Sequence, residues 1–267
     1  MPMTTLKSHA KVNWHLAVGE RRPDGYHTIA SVFQKASLYD EVSVTVDGCG
    51  STTSVTGLED YVKQGCSTVD KAIALWRDAT SSNANVHVSI RKSIPVQSGL
   101  GGGSSNAATV LLALDAMSKA KLPFEELCTI GLEVGCDVPF FLHQCDAACV
   151  YGIGDVVSPI DARHDLKGFL LVPNDEKVST AQAYAALDGR RCVRELEPKE
   201  VLLSEYSKPV SDWGFRNDFE LVNRRPNVEV LEGERLVLTG SGSCWILLTE
   251  RSQLPPCDGC RAVPLRF

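Results

Sequence analysis

Pro95-Val96-Gln97-Ser98-Gly99-Leu100-Gly101-Gly102-Gly103-Ser104-Ser105 carries the densest chemical signal in the chain. Glycines let backbone N–H groups approach a ligand with no Cβ in the way, and they take positive φ readily. The segment follows the alternating run Val86-His87-Val88-Ser89-Ile90 and leads into an apolar stretch that reads as a helix from Ser105 to Ser118. Ser104, Ser105 or Asn106 would cap that helix. The N–H groups and positive dipole at such a helix start form an anion site, and phosphate is its natural occupant. Two other glycine loops fail on register. No lysine completes GxxxxGK[ST], and Ser104 stands where GxGxxG, begun at Gly99, needs its last glycine.

Two charged residues sit in apolar surroundings. Asp137 lies in Gly135-Cys136-Asp137-Val138-Pro139-Phe140-Phe141. Burying a carboxylate there is costly without a partner, so a helix cap, a core ion pair and a functional carboxylate are all open readings. Lys11 lies between Ala10 and Val12 and reads either as a strand-edge lysine or as a functional cation. Tyr26 and His27 follow an Asp24-Gly25 turn and suit a hairpin tip or a ligand contact. Thr239-Gly240-Ser241-Gly242-Ser243 is a tight turn between strands or a second close approach to phosphate.

The elements that must position these residues follow from periodicity. Residues 10–18 alternate as a strand, a second strand covers 29–33, and Val42 to Val46 alternates again. Val69, Ala72, Ile73 and Trp76 mark one face of a helix. Further helices are expected at 124–134, 180–187 and 217–222, and strands at 169–172, 235–239 and 244–249. The register restarts beyond Pro159. At 267 residues the chain suits one large domain or two small ones.

Composition removes several classes of function. There are 27 basic and 33 acidic residues, a net charge of −6. No basic face for nucleic acid or an anionic membrane is indicated. No apolar run reaches the length of about 18 residues that a membrane span needs. The N-terminus lacks the apolar stretch of a signal peptide, so a cytoplasmic location is expected. The ten cysteines then read as reduced thiols. The Cys257-Asp258-Gly259-Cys260 pair reads as unpaired thiols ahead of a metal site or a labile disulfide, since no second pair of zinc ligands at similar spacing is obvious.

The glycine loop, continued through Asn106-Ala107-Ala108, resembles the PxxxGLGGGSSNAA signature of the GHMP kinase superfamily. The resemblance extends along the chain in order: AKVNWHL (10–16), DGYH (24–27), GCDVPFFL (135–142), VSTAQAY (178–184), NDFE (217–220) and TGSGS (239–243). It implies an α+β protein of GHMP kinase fold. The N-terminal half (1–157) would be ribosomal S5 domain 2-like, and the C-terminal half (158–267) ferredoxin-like. The implied activity is that of a small-molecule kinase with an alcohol acceptor, using ATP and Mg²⁺. Asp137 would accept the acceptor's proton. Lys11 would keep that carboxylate ionised and stabilise developing charge. Residues 95–105 and Lys92 would hold the nucleotide, with Ser104 or Ser105 offering a hydroxyl to the metal.

The same resemblance implies an acceptor bearing a cytidine diphosphate group, with no nucleic acid or membrane partner and a monomer or weak homodimer. His27 would read the pyrimidine edge, Tyr26 and Tyr184 would stack on the ring, and Phe33 would form a wall. Asn13 and Thr180 would hold the diphosphate or the polyol. The Gly240 loop would approach the substrate phosphates. Two positions depart from the pattern. Ser67-Thr68 replaces the usual Asn-Leu at the adenine side, and Cys136 replaces the usual alanine before Asp137.

Overall fold

The computed structural model describes residues 3–174, 179–190, 195–254, 257 and 259–267. Val178 of the 178–184 segment and Asp258 of the CxxC segment lie outside them. The chain forms two compact units, each assembled from non-consecutive stretches. The first comprises 1–10, 38–96 and 102–145, and the second 11–37, 97–101 and 146–267. Two long strands, β1 (Met3–Arg21) and β2 (His27–Asp47), contribute residues to both.

In the first unit, β3 (Thr53–Thr56) precedes α1 (Thr68–Thr80) and pairs parallel with β4 (Asn85–Arg91). β4 pairs antiparallel with residues 41–47 of β2. Period-2 alternation buries Val42, Val44, Val86, Val88 and Ile90. The helices are α1, α2 (Gly102–Met117), α3 (Phe124–Val134) and the short α4 (Val138–Leu142). α1 buries Val69, Ala72, Ile73 and Trp76, the stripe read from the sequence. α2 packs against α1, α3 and α4 and is buried on most of its circumference, including Ser105 to Ala108, Leu111 and Leu114. Only a helix with small or apolar residues on nearly every face can occupy that position.

In the second unit, residues 31–34 of β2 pair with β5 (Ala147–Tyr151), which pairs with β6 (Val156–Ile160). A separate antiparallel sheet has the order β10-β7-β9-β8. Its strands are β7 (Lys167–Pro173), β8 (Arg235–Leu238), β9 (Trp245–Leu248) and β10 (Cys260–Arg266). Leu170, Leu171, Leu238, Ile246 and Leu247 are fully buried in it. α5 (Thr180–Asp188) and α6 (Lys199–Tyr206) are the helices described there.

Several expectations are corrected. The helix expected from Ser105 begins three residues earlier, at Gly102. The strands expected at 29–33 and 42–46 are one strand, and no Gly, Pro or Asn interrupts 34–41. The helix expected at 217–222 is a single 3-10 turn, Asp218–Leu221, capped when the Asn217 side chain accepts from the Phe219 N–H. Cys257 and Cys260, expected as reduced thiols, form a disulfide. Gly259 at φ 75° makes the reversal that brings their Cα atoms to 5.6 Å, within the range a disulfide spans. β10 was hidden by Pro264, which a strand tolerates at the edge of a sheet, where β10 lies.

Candidate active site

In the first unit the start of α2 rests on a buried polar network. Asp40, on β2, is fully buried. Its Oδ1 accepts from the Ser93 N–H (2.7 Å) and the Ile94 N–H (2.9 Å). Its Oδ2 accepts from Asn106 Nδ2 (3.0 Å) and forms an ion pair with Lys92. Lys92 Nζ also donates to Asn106 Oδ1 at 3.3 Å. Asn106 Nδ2 donates in addition to Ser8 Oγ (2.9 Å), and Ser8 donates to Ser105 Oγ (2.8 Å). Ser105 and Asn106, expected as caps, therefore point into the core from the first two turns of α2. A Cβ added to Gly102 would come within 3.3 Å of Lys92 Nζ, so the ammonium lies against the first residue of the helix.

Two other features of this unit bear on the site. Ser67, at the position where an adenine contact was in question, is engaged with its own helix. It accepts from the Asp70 N–H (3.1 Å) and donates its own N–H to Asp70 Oδ2 (2.9 Å), a capping box. Thr68 donates to the Gly103 carbonyl at 2.8 Å and ties α1 to the start of α2. Asp137 is half-buried immediately before α4 and makes no capping bond to that helix. Capping is therefore not its role.

In the second unit, residues 97–101 pack against the 239–243 loop backbone to backbone. Gly99 has φ 78° and Gly240 φ 56°. A Cβ on Gly99 would run into the Thr239 carbonyl, and one on Gly240 into the Gly99 backbone. Both positions need glycine for conformation and for space. Lys11 N–H donates to the Leu100 carbonyl at 3.0 Å, which fixes the loop to β1.

Asn13 is the hub of this region. Its Oδ1 accepts from Lys11 Nζ (2.7 Å) and from the Gly240 N–H (2.9 Å), its Nδ2 donates to Ser31 Oγ (3.0 Å), and its N–H donates to Thr239 Oγ1 (3.2 Å). Asn13 was expected on the substrate. Its carboxamide is instead bonded within the protein, and the residue is 1% exposed. The Lys11 ammonium also lies 4.5 Å from the centroid of the buried Phe33 ring. On the other side of the loop, Asn217 Nδ2 donates to the Gly240 and Leu238 carbonyls, both at 2.9 Å. Both polar groups of the Gly240 residue are thus held by asparagine side chains.

The remaining residues come from α5 and the β1–β2 turn. Thr180, Tyr184 and Asp188 fall at i, i+4 and i+8 and share one face of α5. Thr180 Oγ1 is 3.3 Å from Ser241 Oγ. Tyr184 stacks on His27, centroids 5.0 Å apart at 18°, and meets Phe219 edge-on. His27 Nε2 bonds Asp188 Oδ1 at 2.9 Å. One face of the Tyr184 ring is therefore covered by the imidazole. Tyr26, beyond the Gly25 turn, is 53% exposed.

Two residues from β1, His15 and Leu16, tie this region to residues 216–217. Arg216 N–H donates to His15 Nδ1 (3.3 Å), so His15 Nε2–H donates to Glu197 (3.1 Å) and the ring is neutral. Burial lowers the His15 pKa, opposed by the Glu197 carboxylate and aided by the Arg216 charge.

The sequence did not point to Asp40, Asp188, Ser8 or Ser31. Asp40 stands beside Glu41 in a strand, where a charge reads as solvated. Asp188 would have emerged from asking which residues share a face with Thr180 and Tyr184.

Residues 61–145 match the family of GHMP kinases, in its N-terminal domain. An α+β chain with this glycine loop and this match is a small-molecule phosphotransferase that uses ATP. The chain is 37% identical over 251 residues to the 4-diphosphocytidyl-2-C-methyl-D-erythritol kinase of Geobacter metallireducens, covering 90% of this chain and 84% of that one. It is 34% identical over 260 residues to the enzyme of the same name from Treponema pallidum, covering 93% and 87%. A crystal structure of 4-(cytidine 5'-diphospho)-2C-methyl-D-erythritol kinase superposes with a TM-score of 0.72 at 25% identity, covering 99% of this chain and all of that one. The mevalonate kinase of Methanococcus jannaschii shares the fold, with a TM-score of 0.65 at 13% identity, covering 100% of this chain and 98% of that one. The chain belongs to the 4-diphosphocytidyl-2-C-methyl-D-erythritol kinase family of GHMP kinases. Among the described residues no helix is long and apolar enough to cross a membrane.

Proposed function

We propose that this protein transfers the γ-phosphoryl group of ATP to the 2-hydroxyl of 4-diphosphocytidyl-2-C-methyl-D-erythritol. The observation that carries this reading is the arrangement around Asn13. One carboxamide oxygen holds both the Lys11 ammonium and the Gly240 N–H, and the Gly240 loop interlocks with the glycine-rich 97–101 turn. A preset cation and a backbone cradle are what phosphoryl transfer requires, since it depends on positioning and electrostatic stabilisation.

In this reading Asp137 accepts the proton of the attacking hydroxyl, and Lys11 stabilises charge on the reacting groups. Residues 95–105 cradle the phosphates with backbone N–H groups, and Lys92 adds a cation at the start of α2. Mg²⁺, when bound, would neutralise phosphate charge. Ser105 faces Ser8, so Ser104 is the hydroxyl assigned to the metal side.

His27 reads the cytosine edge, with its Nε2 fixed by Asp188. Tyr26 and Tyr184 supply aromatic faces beside it, Phe33 backs Lys11, and Thr180 with Ser241 serves the diphosphate. Asn13 acts through Lys11 and Gly240 rather than on the substrate. Residues 1–157 and 158–267 correspond to the family's N- and C-terminal domains, and the enzyme works in the cytoplasm as a monomer or weak dimer.

The test is product analysis by phosphorus NMR. The expected product carries a new phosphomonoester at the 2-position, and Asp137→Asn abolishes its formation while nucleotide binding persists. Near-normal turnover by Asp137→Asn would remove the base assignment.

A further inference from the structure

Asp40 takes no part in the chemistry above, yet it is a fully buried carboxylate with four partners within the first unit. It accepts hydrogen bonds from Ser93 N–H, Ile94 N–H and Asn106 Nδ2 and pairs with Lys92. Those partners come from two places: residues 92–94, which leave β4 and put the lysine against Gly102, and Asn106 in the second turn of α2. One carboxylate thus joins the two ends of the nucleotide loop within this unit and sets the direction of the cation between them.

We propose that Asp40 is a positioning residue for nucleotide binding, acting by aiming Lys92 at the start of α2. The inference rests on the proposed reading that ATP phosphates occupy that helix start. The physical logic is geometric. A lysine has a long stem with many rotamers, and its point charge directs a phosphate only if something fixes it. Asp40 and Asn106 Oδ1 hold the ammonium from two sides, leaving its third N–H for a ligand. The carboxylate also keeps a nearly buried ammonium compensated, since its side chain is only 9% exposed. A neutral amide at position 40 could still accept from Ser93 and Ile94. It would present N–H groups to two donors if turned the other way, and it could not compensate the lysine charge.

The test is a double-mutant cycle read by calorimetric binding of a non-hydrolysable ATP analogue, with thermal unfolding measured on each variant. Lys92→Met should weaken the analogue about tenfold, the effect of losing one charge-assisted contact. Asp40→Asn should weaken it by a similar factor. Asp40→Asn introduced into Lys92→Met should add less than about twofold, because the residue it acts through is gone. Additive losses in the cycle, or unchanged binding by a folded Asp40→Asn, would overturn the proposal. If Asp40→Asn alone does not fold, comparing the neutral double variant with Lys92→Met decides the question. Equal binding supports the proposal, and further weakening or failure of the double variant to fold assigns Asp40 to structure alone. Failure of the reading beneath it is distinguishable: Lys92→Met would then bind the analogue as the unaltered protein does, and the proposal would fall with it.

Discussion

Asn13 Oδ1 accepts a hydrogen bond from Lys11 Nζ at 2.7 Å and a second from the Gly240 N–H at 2.9 Å. One acceptor therefore sets the proposed catalytic cation and the second glycine loop at once. Asn13→Ala would take from the buried Gly240 N–H the acceptor that Asn13 Oδ1 provides, at a cost of about 1–3 kcal/mol. It would also remove one of the bonds that orient the Lys11 ammonium, and a misplacement of about 1 Å is worth about 10²-fold in turnover. The expected result is a kcat lowered about 100-fold with the KM for ATP changed little, read by steady-state kinetics. A variant that loses acceptor affinity at full kcat would return Asn13 to direct substrate contact.

The His27–Asp188 bond assigns base recognition to a dyad. Asp188→Ala removes a charge-assisted bond of about 1.5–3 kcal/mol. The KM of the cytidyl acceptor should rise at least tenfold while that of ATP stays constant. Parallel rises for both substrates would show that the dyad stabilises the fold and reads nothing.

Gly99 offers a test of the interlocked loops. Alanine there meets the Thr239 carbonyl as well as an unfavourable φ, so Gly99→Ala should cost more than about 3 kcal/mol in denaturant melts and abolish nucleotide binding. Gly65 has a similar φ of 76° with nothing within 4 Å. Gly65→Ala should cost only about 1–2 kcal/mol and leave binding intact.

The distinction between these two glycines shows what the sequence can and cannot disclose. Both lie in turn-like contexts, and only long-range packing separates them. Local signals were sufficient for α1, whose Val69 to Trp76 stripe is a period, and for the glycine loop, whose composition implies phosphate. They were not sufficient for the start of α2. Ser105 and Asn106 have capping chemistry, but Ser8 and Asp40, 97 and 66 residues away, claim their side chains. The bonds that Asn13 makes within the protein were not legible, because its partners Thr239 and Gly240 lie more than 220 residues along the chain. Fold class and reaction are carried by short motifs, whereas roles within the site depend on contacts that no motif contains.

His15 gives a pH dependence with a definite sign. Burial holds its pKa below the ordinary 6.5, with the Glu197 and Asp218 carboxylates opposing and the Arg216 charge assisting. Above pH 6.5 the ring is neutral in both states. Below it, the unfolded chain takes a proton that the folded site resists. Stability should therefore fall as pH drops below 6.5, by up to about 1.4 kcal/mol per pH unit from this group. Thermal melts of His15→Gln should show a flatter acid limb than the unaltered protein. An identical limb would place the titration elsewhere.

The central claim is phosphoryl transfer from ATP to a cytidyl-bearing acceptor, and coupled ADP release measures it most directly. With Mg-ATP, 4-diphosphocytidyl-2-C-methyl-D-erythritol should give rapid, acceptor-dependent ADP formation, and mevalonate and homoserine should give little above background. ADP formed faster with mevalonate or homoserine, or none with the cytidyl acceptor, would contradict it.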